Sequence, residues 1–223
     1  MALSHSPSIV TDGLVLCLDA ANRKSYPGTG TGWNNITGLT SGILLNGVTF
    51  SNSNNGVLVF DGTDDYVNVP SLFDFSITNE ITASIWCQSA TETWDDTAML
   101  ISKRNQFIIH PEAGSKQVTF YVRISTDAWN SISYIPTTIT NYNNYVLNYN
   151  KGDFRIFFNG VSVASNTILS TLLSDTGDTT IGNDDGISRY LNGRVANVMI
   201  YNKALNAQQI LENFNALRGR FGI

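Results

Sequence analysis

Carboxylates and amides crowd into three short loops of this chain: Asp61-Gly-Thr-Asp-Asp65, Trp94-Asp-Asp96 and Asn183-Asp-Asp-Gly186. Clustered oxygen donors on loops are what a hard cation takes. Calcium is the metal they suit, with Asp64, Asp65, Asp184 and Asp185 as the expected ligands. The same residue types are good turn formers, because Asp and Asn side chains hydrogen-bond their own backbone. The pattern therefore requires no cofactor. Zinc is not expected, since the two histidines and two cysteines form no ligand cluster.

Aromatic residues in polar segments offer a second chemistry. A flat ring packs on the C–H face of a sugar while neighbouring Asn and Asp side chains bond its hydroxyls. Trp33, Trp94, Trp129 and Tyr142 lie in such segments and are the expected glycan or partner contacts; Trp86, in an apolar run, reads as core. The plainer alternative for each is a cap on the edge of the fold or a subunit contact. The alternating Tyr/Asn run over 141–150 fits a wet interface, where Tyr is enriched.

Catalysis finds little support. His5 and His110 are the only histidines, and His110 precedes Pro111 at a strand end, where it reads as a surface residue. No G-x-S-x-G elbow exists for a serine nucleophile. Gly28, Gly30 and Gly32 do not make G-x-G-x-x-G, and no periodic helix follows them, so no phosphate cradle is expected. Cys17 and Cys87 sit in strand-like runs and read as buried free thiols. No catalytic residue is assigned, and the chain is not expected to be an enzyme.

The elements that must position these residues are short strands. Leu14–Leu18, Val57–Phe60, Tyr66–Val69, Ile81–Gln88, Met99–Ser102, Gln106–Ile109, Val118–Ile124, Ser131–Ile135, Phe154–Phe158, Val161–Ala164, Thr179–Gly182 and Val195–Tyr201 read as strands at the spacing of a sandwich or barrel. Ile43–Leu45 and Val48–Phe50 flank Asn46-Gly47, a strong hairpin signal. Val195–Tyr201 is apolar on both faces, so it is expected to be central, with Ala196, Val198 and Ile200 on one side and Val195, Met199 and Tyr201 on the other. One helix follows over about 206–218. Asn206 is its N-cap and Gln209 completes a capping box. Ile210, Phe214 and Leu217 form its apolar face, and Gly219 is its expected stop. So short a helix must dock on a sheet to be stable.

Composition agrees. Charged residues make up 14%, below the usual quarter, and Asn, Ser and Thr take their share, which favours turns and strands over helix interiors. A net charge of −5 with no basic run argues against nucleic acid. No apolar stretch approaches a membrane span. Met1–Pro7 lacks the basic and apolar regions of a secretory signal, so none is expected. A single domain over 11–223 behind an N-terminal arm over 1–10 is the expected organisation.

The order of segments resembles a known superfamily. Phe60-Asp-Gly-Thr-Asp-Asp-Tyr-Val-Asn-Val-Pro70, Thr82-Ala-Ser-Ile-Trp86, Phe157-Phe-Asn-Gly-Val-Ser-Val-Ala164, Ile181-Gly182 and Gly193 through Ile210 are similar, in that order, to laminin-G-like and pentraxin-like jelly rolls of the concanavalin A-like lectin/glucanase superfamily. The resemblance implies an all-β, two-sheet antiparallel jelly-roll sandwich with one short C-terminal helix. Some relatives are glucanases built on an E-x-D-x-x-E strand. None of Glu80, Glu92, Glu112 and Glu212 has an Asp two residues on, so a glycosidase is not expected. The opening Gly13–Gly28 and the closing Glu212–Gly222 resemble laminin-G-like structural proteins of tailed bacteriophages. That implies a non-enzymatic virion subunit, a capsid decoration or a tail or neck appendage, assembled in the host cytoplasm. Its expected partners are other virion proteins and further copies of itself. The alternative the resemblance carries is a lectin-like module recognising a host-surface glycan.

Overall fold

The computed structural model describes residues 8–71, 73–95, 98–184 and 188–223. In chain order its strands are β1 (Leu14–Asp19), β2 (Gly32–Trp33), β3 (Gly42–Leu45), β4 (Thr49–Ser51), β5 (Val57–Asp61) and β6 (Tyr66–Val69). Next come β7 (Glu80–Ser89), β8 (Ile101–Lys103), β9 (Phe107–Pro111), β10 (Val118–Arg123) and β11 (Trp129–Tyr134). The last are β12 (Asn143–Asn150), β13 (Asp153–Phe158), β14 (Val161–Asn166), β15 (Thr179–Ile181) and β16 (Asn192–Tyr201), followed by helix α1 (Ala207–Leu217).

They form two antiparallel sheets packed face to face, the expected jelly-roll sandwich. The first sheet runs β14-β13-β12-β7-β16-β5-β4, with β1 also paired to β16; the second runs β11-β10-β9-β8-β15-β6-β3-β2. Between them lies the main core, fed by alternate residues of each strand: Ile81, Ala83, Ile85 and Cys87 of β7 face Phe107, Ile109, Phe120 and Val122 of the second sheet. The outer face of the first sheet is buried as well. There Ile210 of α1 packs on Val146, Phe157, Met199 and Tyr201, while Phe214 packs on Val57, Trp86 and Ala196.

As expected, β16 is central, with β7 on one side and β5 and β1 on the other. Its facing differs from strict alternation. A bulge between Val195 and Asn197 opposite β7 turns Val195 inward with Val198 and Ile200, and puts Ala196 on the helix side with Met199 and Tyr201. One extra residue flips every side chain beyond it. Asn197, at the bulge, bonds Leu18 O at 3.1 Å.

Two turn signals of one type part company. Asn159-Gly160 has positive φ at both residues (49° and 78°) and closes the β13–β14 hairpin, where Phe158 opposes Val161. Asn46-Gly47 also has positive φ (64° and 134°), but it is no hairpin: β3 pairs with β6 in one sheet and β4 with β5 in the other. The pair carries the chain from one sheet to the other because each flanking strand finds a longer partner elsewhere.

The capping box of α1 forms as expected, with Gln209 N bonding Asn206 Oδ1 at 2.9 Å and Asn206 N bonding Gln209 Oε1 at 3.0 Å. Gly219 is not a left-handed stop; the chain continues through one 3₁₀ turn over Arg218–Arg220. The wet-interface reading of 141–150 also fails. In β12, Tyr145, Leu147 and Tyr149 enter the core. Asn144 and Asn148 lie beneath α1, bonded to Ser84 Oγ, Thr82 Oγ1 and Leu205 O at 2.9 Å each. Upstream, Val10 is docked: its N–H reaches Asn213 and its carbonyl accepts from the Tyr201 hydroxyl.

Candidate functional site

Of the aromatic candidates, two are removed by burial. Trp33 is fully buried in the core. Trp94 is 2% exposed; its Nε1–H donates to Lys116 O at 3.2 Å and its ring meets Tyr145 edge-on. Neither can stack on a ligand. Their polar neighbours in sequence suggested surface, but each indole turns inward from the end of a loop to seal the sandwich. Trp86 is core, as expected, stacked between Phe214 and Phe221.

Trp129 stands apart. It is 38% exposed at the start of β11, opposite Arg123 of β10. The Arg123 guanidinium lies 5.3 Å from its ring centroid, and Tyr121 meets it edge-on at 6.0 Å. Alternation puts Trp129, Tyr121, Ile108 and His110 on the outer face of the second sheet, and Arg104 and Arg189 complete a cleft of about 260 Å³ there.

A polar chain crosses this cleft. Asp184, fully buried, accepts from Ser102 Oγ at 2.8 Å and from the Arg104 guanidinium, and Arg189 Nη1 lies 3.9 Å away. Arg189 donates to His110 Nε2 at 3.3 Å, and His110 Nδ1 faces Glu112 Oε1 at 3.5 Å. Burial holds the His110 imidazole below the usual histidine range against the pull of Glu112, and the Arg189 charge adds to burial. A neutral ring with its proton on Nδ1 fits both neighbours, since Nε2 must accept from Arg189. The sequence around His110 marks it only as a surface residue. No local pattern joins residues 104, 110, 112, 184 and 189; sheet register does.

The acidic candidates divide. Carboxylate oxygens of Asp61, Asp64 and Asp65 come within 4.8 Å of one another. Asp61 and Asp64 are exposed and Asp65 is 3% exposed. Asp65 Oδ2 accepts from Asp61 N at 3.0 Å, while Oδ1 is buried without a protein partner. Burial pushes the Asp65 carboxyl up, and the charges of Asp61 and Asp64 add to it despite that backbone bond. A bound cation would relieve all three causes. Asp184 does not join this group: both its oxygens are held by Ser102 and Arg104, across the sheet. Asp185 and Asp96 lie outside the described residues, as does His5.

Tyr142 is 7% exposed, on the helix-bearing side, and its ring stacks on Phe221 at 4.6 Å. Both cysteines are free and buried. Burial, with Asp19 adding, pushes the Cys17 thiol up to about 12; burial alone pushes Cys87 up as well. Among the described residues no helix is long and apolar enough to cross a membrane.

Residues 61–211 match a laminin-G family model described as the concanavalin A-like lectin/glucanases superfamily. No curated protein matches the chain. Among solved structures, the binding domain of Paraclostridial Mosquitocidal Protein 1 is similar at a TM-score of 0.74 and 13% identity, over 92% of this chain and 52% of that one. The binding domain of botulinum neurotoxin DC in complex with SialylT is similar at 0.70 and 14%, over 92% and 52%. Domain 4 of AbnA, a GH43 extracellular arabinanase from Geobacillus stearothermophilus, in complex with arabinotriose, is similar at 0.68 and 14%, over 90% and 97%. The chain spans about half the length of the toxin domains it matches. At such identities the likeness is one of fold.

Proposed function

The chain belongs to the concanavalin A-like lectin/glucanases superfamily, and on that premise we propose that it is a non-catalytic binding domain whose second sheet presents Trp129 to a surface glycan. One observation carries this reading. Of four tryptophans, Trp129 alone is more than marginally exposed, on a face where hydrogen-bonding side chains surround it. Its ring offers a platform for a sugar, Arg123 holds the ring in place, and Arg104, Tyr121 and Arg189 supply donors and acceptors for hydroxyls, with His110 orienting Arg189. Two solved structures of this fold are complexes with arabinotriose and with SialylT, which supports the direction of the reading. Asp184 and Glu112 serve here to orient arginine and histidine rather than to attack a glycosidic bond.

The test is a glycan array followed by titration. Trp129→Ala should weaken binding roughly 30-fold or more, since an aromatic anchor is worth about 2 kcal/mol. Unchanged affinity, or hydrolysis of the bound glycan, would overturn the proposal.

The setting we propose is the virion of a tailed phage, with the domain as a decoration or appendage subunit contacting other virion proteins or further copies of itself. The opening and closing segments that carry this resemblance meet in space: Arg220 of the closing segment bonds Asp19 of the opening one at 2.8 Å. Mass spectrometry of purified particles tests it, and absence of the chain from them refutes it.

Calcium is proposed at Asp61, Asp64 and Asp65, on the strength of the unpartnered Asp65 Oδ1. A melting temperature indifferent to calcium and to chelator would remove it, because a ligand of the native state alone raises stability.

A further inference from the structure

The helix-bearing face carries a feature that the Trp129 reading does not use. Phe221 inserts its ring between Trp86 and Tyr142, with centroids 4.6 Å apart on either side. Beside this stack opens a cleft of about 410 Å³, bounded by Asn54, Gln88, Asn141, Tyr142, Arg194 and Phe221. That volume lies within the range of small-molecule sites, about 300–1,000 Å³.

Two buried polar atoms in its lining lack a well-formed protein hydrogen bond: Gln88 Oε1, and the Tyr142 hydroxyl, which has only the exposed Arg194 guanidinium beside it. Gln88 cannot simply turn to satisfy itself. Its Nε2 is tied to Thr140 O, which fixes the amide with the oxygen as a lone acceptor. Tyr142 is more than nine-tenths buried, and its ring is locked by stacking on Phe221. Natural folds seldom leave such groups unpaired without a partner from outside the chain. The surrounding groups are amides, an exposed guanidinium and the edge of an aromatic stack. An apolar ligand would leave the buried acceptor and hydroxyl unsatisfied, and an inorganic ion would leave the aromatic edge uncovered. A ring that carries hydroxyls meets both demands.

We infer a second carbohydrate subsite here, on the sheet opposite Trp129, which takes one pyranose unit. A ring hydroxyl donates to Gln88 Oε1, another exchanges a hydrogen bond with the Tyr142 hydroxyl, and the C–H face of the sugar covers the edge of the Tyr142–Phe221 stack. Arg194 at the mouth bonds outward-facing oxygens. The C-terminal residues build one wall, so the site exists only when Phe221 is seated.

The subsite stands independently of the Trp129 reading, and the Trp129→Ala variant of the full chain isolates it. Saturation-transfer NMR with methyl glycopyranosides of glucose, galactose, mannose and glucuronic acid reads binding directly. At least one should show saturable transfer to its ring protons in the Trp129→Ala protein. Tyr142→Phe, which keeps the stack, and the exposed Arg194→Ala should each weaken that signal about tenfold, the scale of one lost hydrogen bond. If no glycoside in the panel binds the Trp129→Ala protein, the two groups are merely hydrated and the inference falls, whatever the wild type does at Trp129. It falls equally if binding survives both second substitutions unchanged. Binding that persists in the Trp129→Ala protein and is lost with Tyr142→Phe upholds the subsite, and the Trp129 reading then stands or falls on the glycan-array titration alone.

Discussion

Arg220→Ala tests whether the chain ends are clasped as the structure has them. The guanidinium donates to Asp19 Oδ1 at 2.8 Å, Gly56 O at 2.9 Å and Asn54 O at 3.3 Å. Its backbone carbonyl accepts from Asn54 Nδ2 at 3.0 Å. The two side chains are 12% and 18% exposed, so water screens the pair little. Breaking a buried pair from one side costs about 3–5 kcal/mol. Here Asp19 keeps a bond from Ala21 N at 3.0 Å, and loss of the guanidinium admits water to the carbonyls, so about 2–4 kcal/mol is expected. With an unfolding entropy near 2.1 cal/mol/K per residue over 223 residues, 3 kcal/mol corresponds to a fall in Tm of about 6 °C. Guanidinium chloride unfolding followed by tryptophan fluorescence, alongside calorimetry, measures both. Arg220→Lys should fall between, because a compact ammonium keeps the charge but lacks the planar fork that spreads N–H groups over three separated acceptors. A loss below about 0.5 kcal/mol for Arg220→Ala, typical of an exposed ion pair, would refute the reasoning.

Other outcomes follow from the same geometry. Gly193→Ala should destabilise by several kcal/mol, because a Cβ there would lie 2.4 Å from the Gln88 carbonyl oxygen on the paired strand; denaturant midpoints check it. The folded pKa of Asp65 is raised, so its favourable contribution is full at pH below the unfolded value near 4 and is lost as pH rises through the folded one. Asp65→Asn should therefore stabilise the calcium-free protein at pH 7 and flatten its acid profile, while abolishing any calcium-induced rise in Tm. The folded pKa of His110 is lowered, so its contribution holds above about 6.5 and is lost as pH falls through the folded value. His110→Gln should make stability less sensitive to pH as it falls below about 6.5. Cys17 and Cys87 should ignore a thiol-disulfide reagent in the native protein at pH 8 and react fully once unfolded; brisk native reaction would contradict their burial.

Much of the architecture was legible because it is written in local periodicity. Alternation marked β7 and β13, β-branched apolar residues on both faces marked β16 as central, and Asn206 with Gln209 marked the start of α1. The superfamily motifs also acquire physical causes. Gly182, in the Ile-Gly motif, has φ of 82° and leaves room for the Phe60 ring, 2.7 Å from where a Cβ would sit. Gly193 admits the backbone of β7.

What the sequence could not decide was where each strand finds its partner and which way each loop aromatic turns. Asn46-Gly47 and Asn159-Gly160 are the same dipeptide in similar surroundings, yet one joins two sheets and the other closes a hairpin. Trp33, Trp94 and Trp129 all lie among polar neighbours, and only the packing of the sandwich ends distinguishes two sealed rings from one open platform. Asp184 resembled Asp65 as an acidic loop residue, but the register of β8 and β15 brings Ser102 and Arg104 to it and makes it an anchor for arginines. Secondary structure, the helix cap and the fold class depend on residues a few positions apart, so the chain alone determines them. The binding faces depend on side chains tens of residues apart, and tertiary pairing alone brings those together.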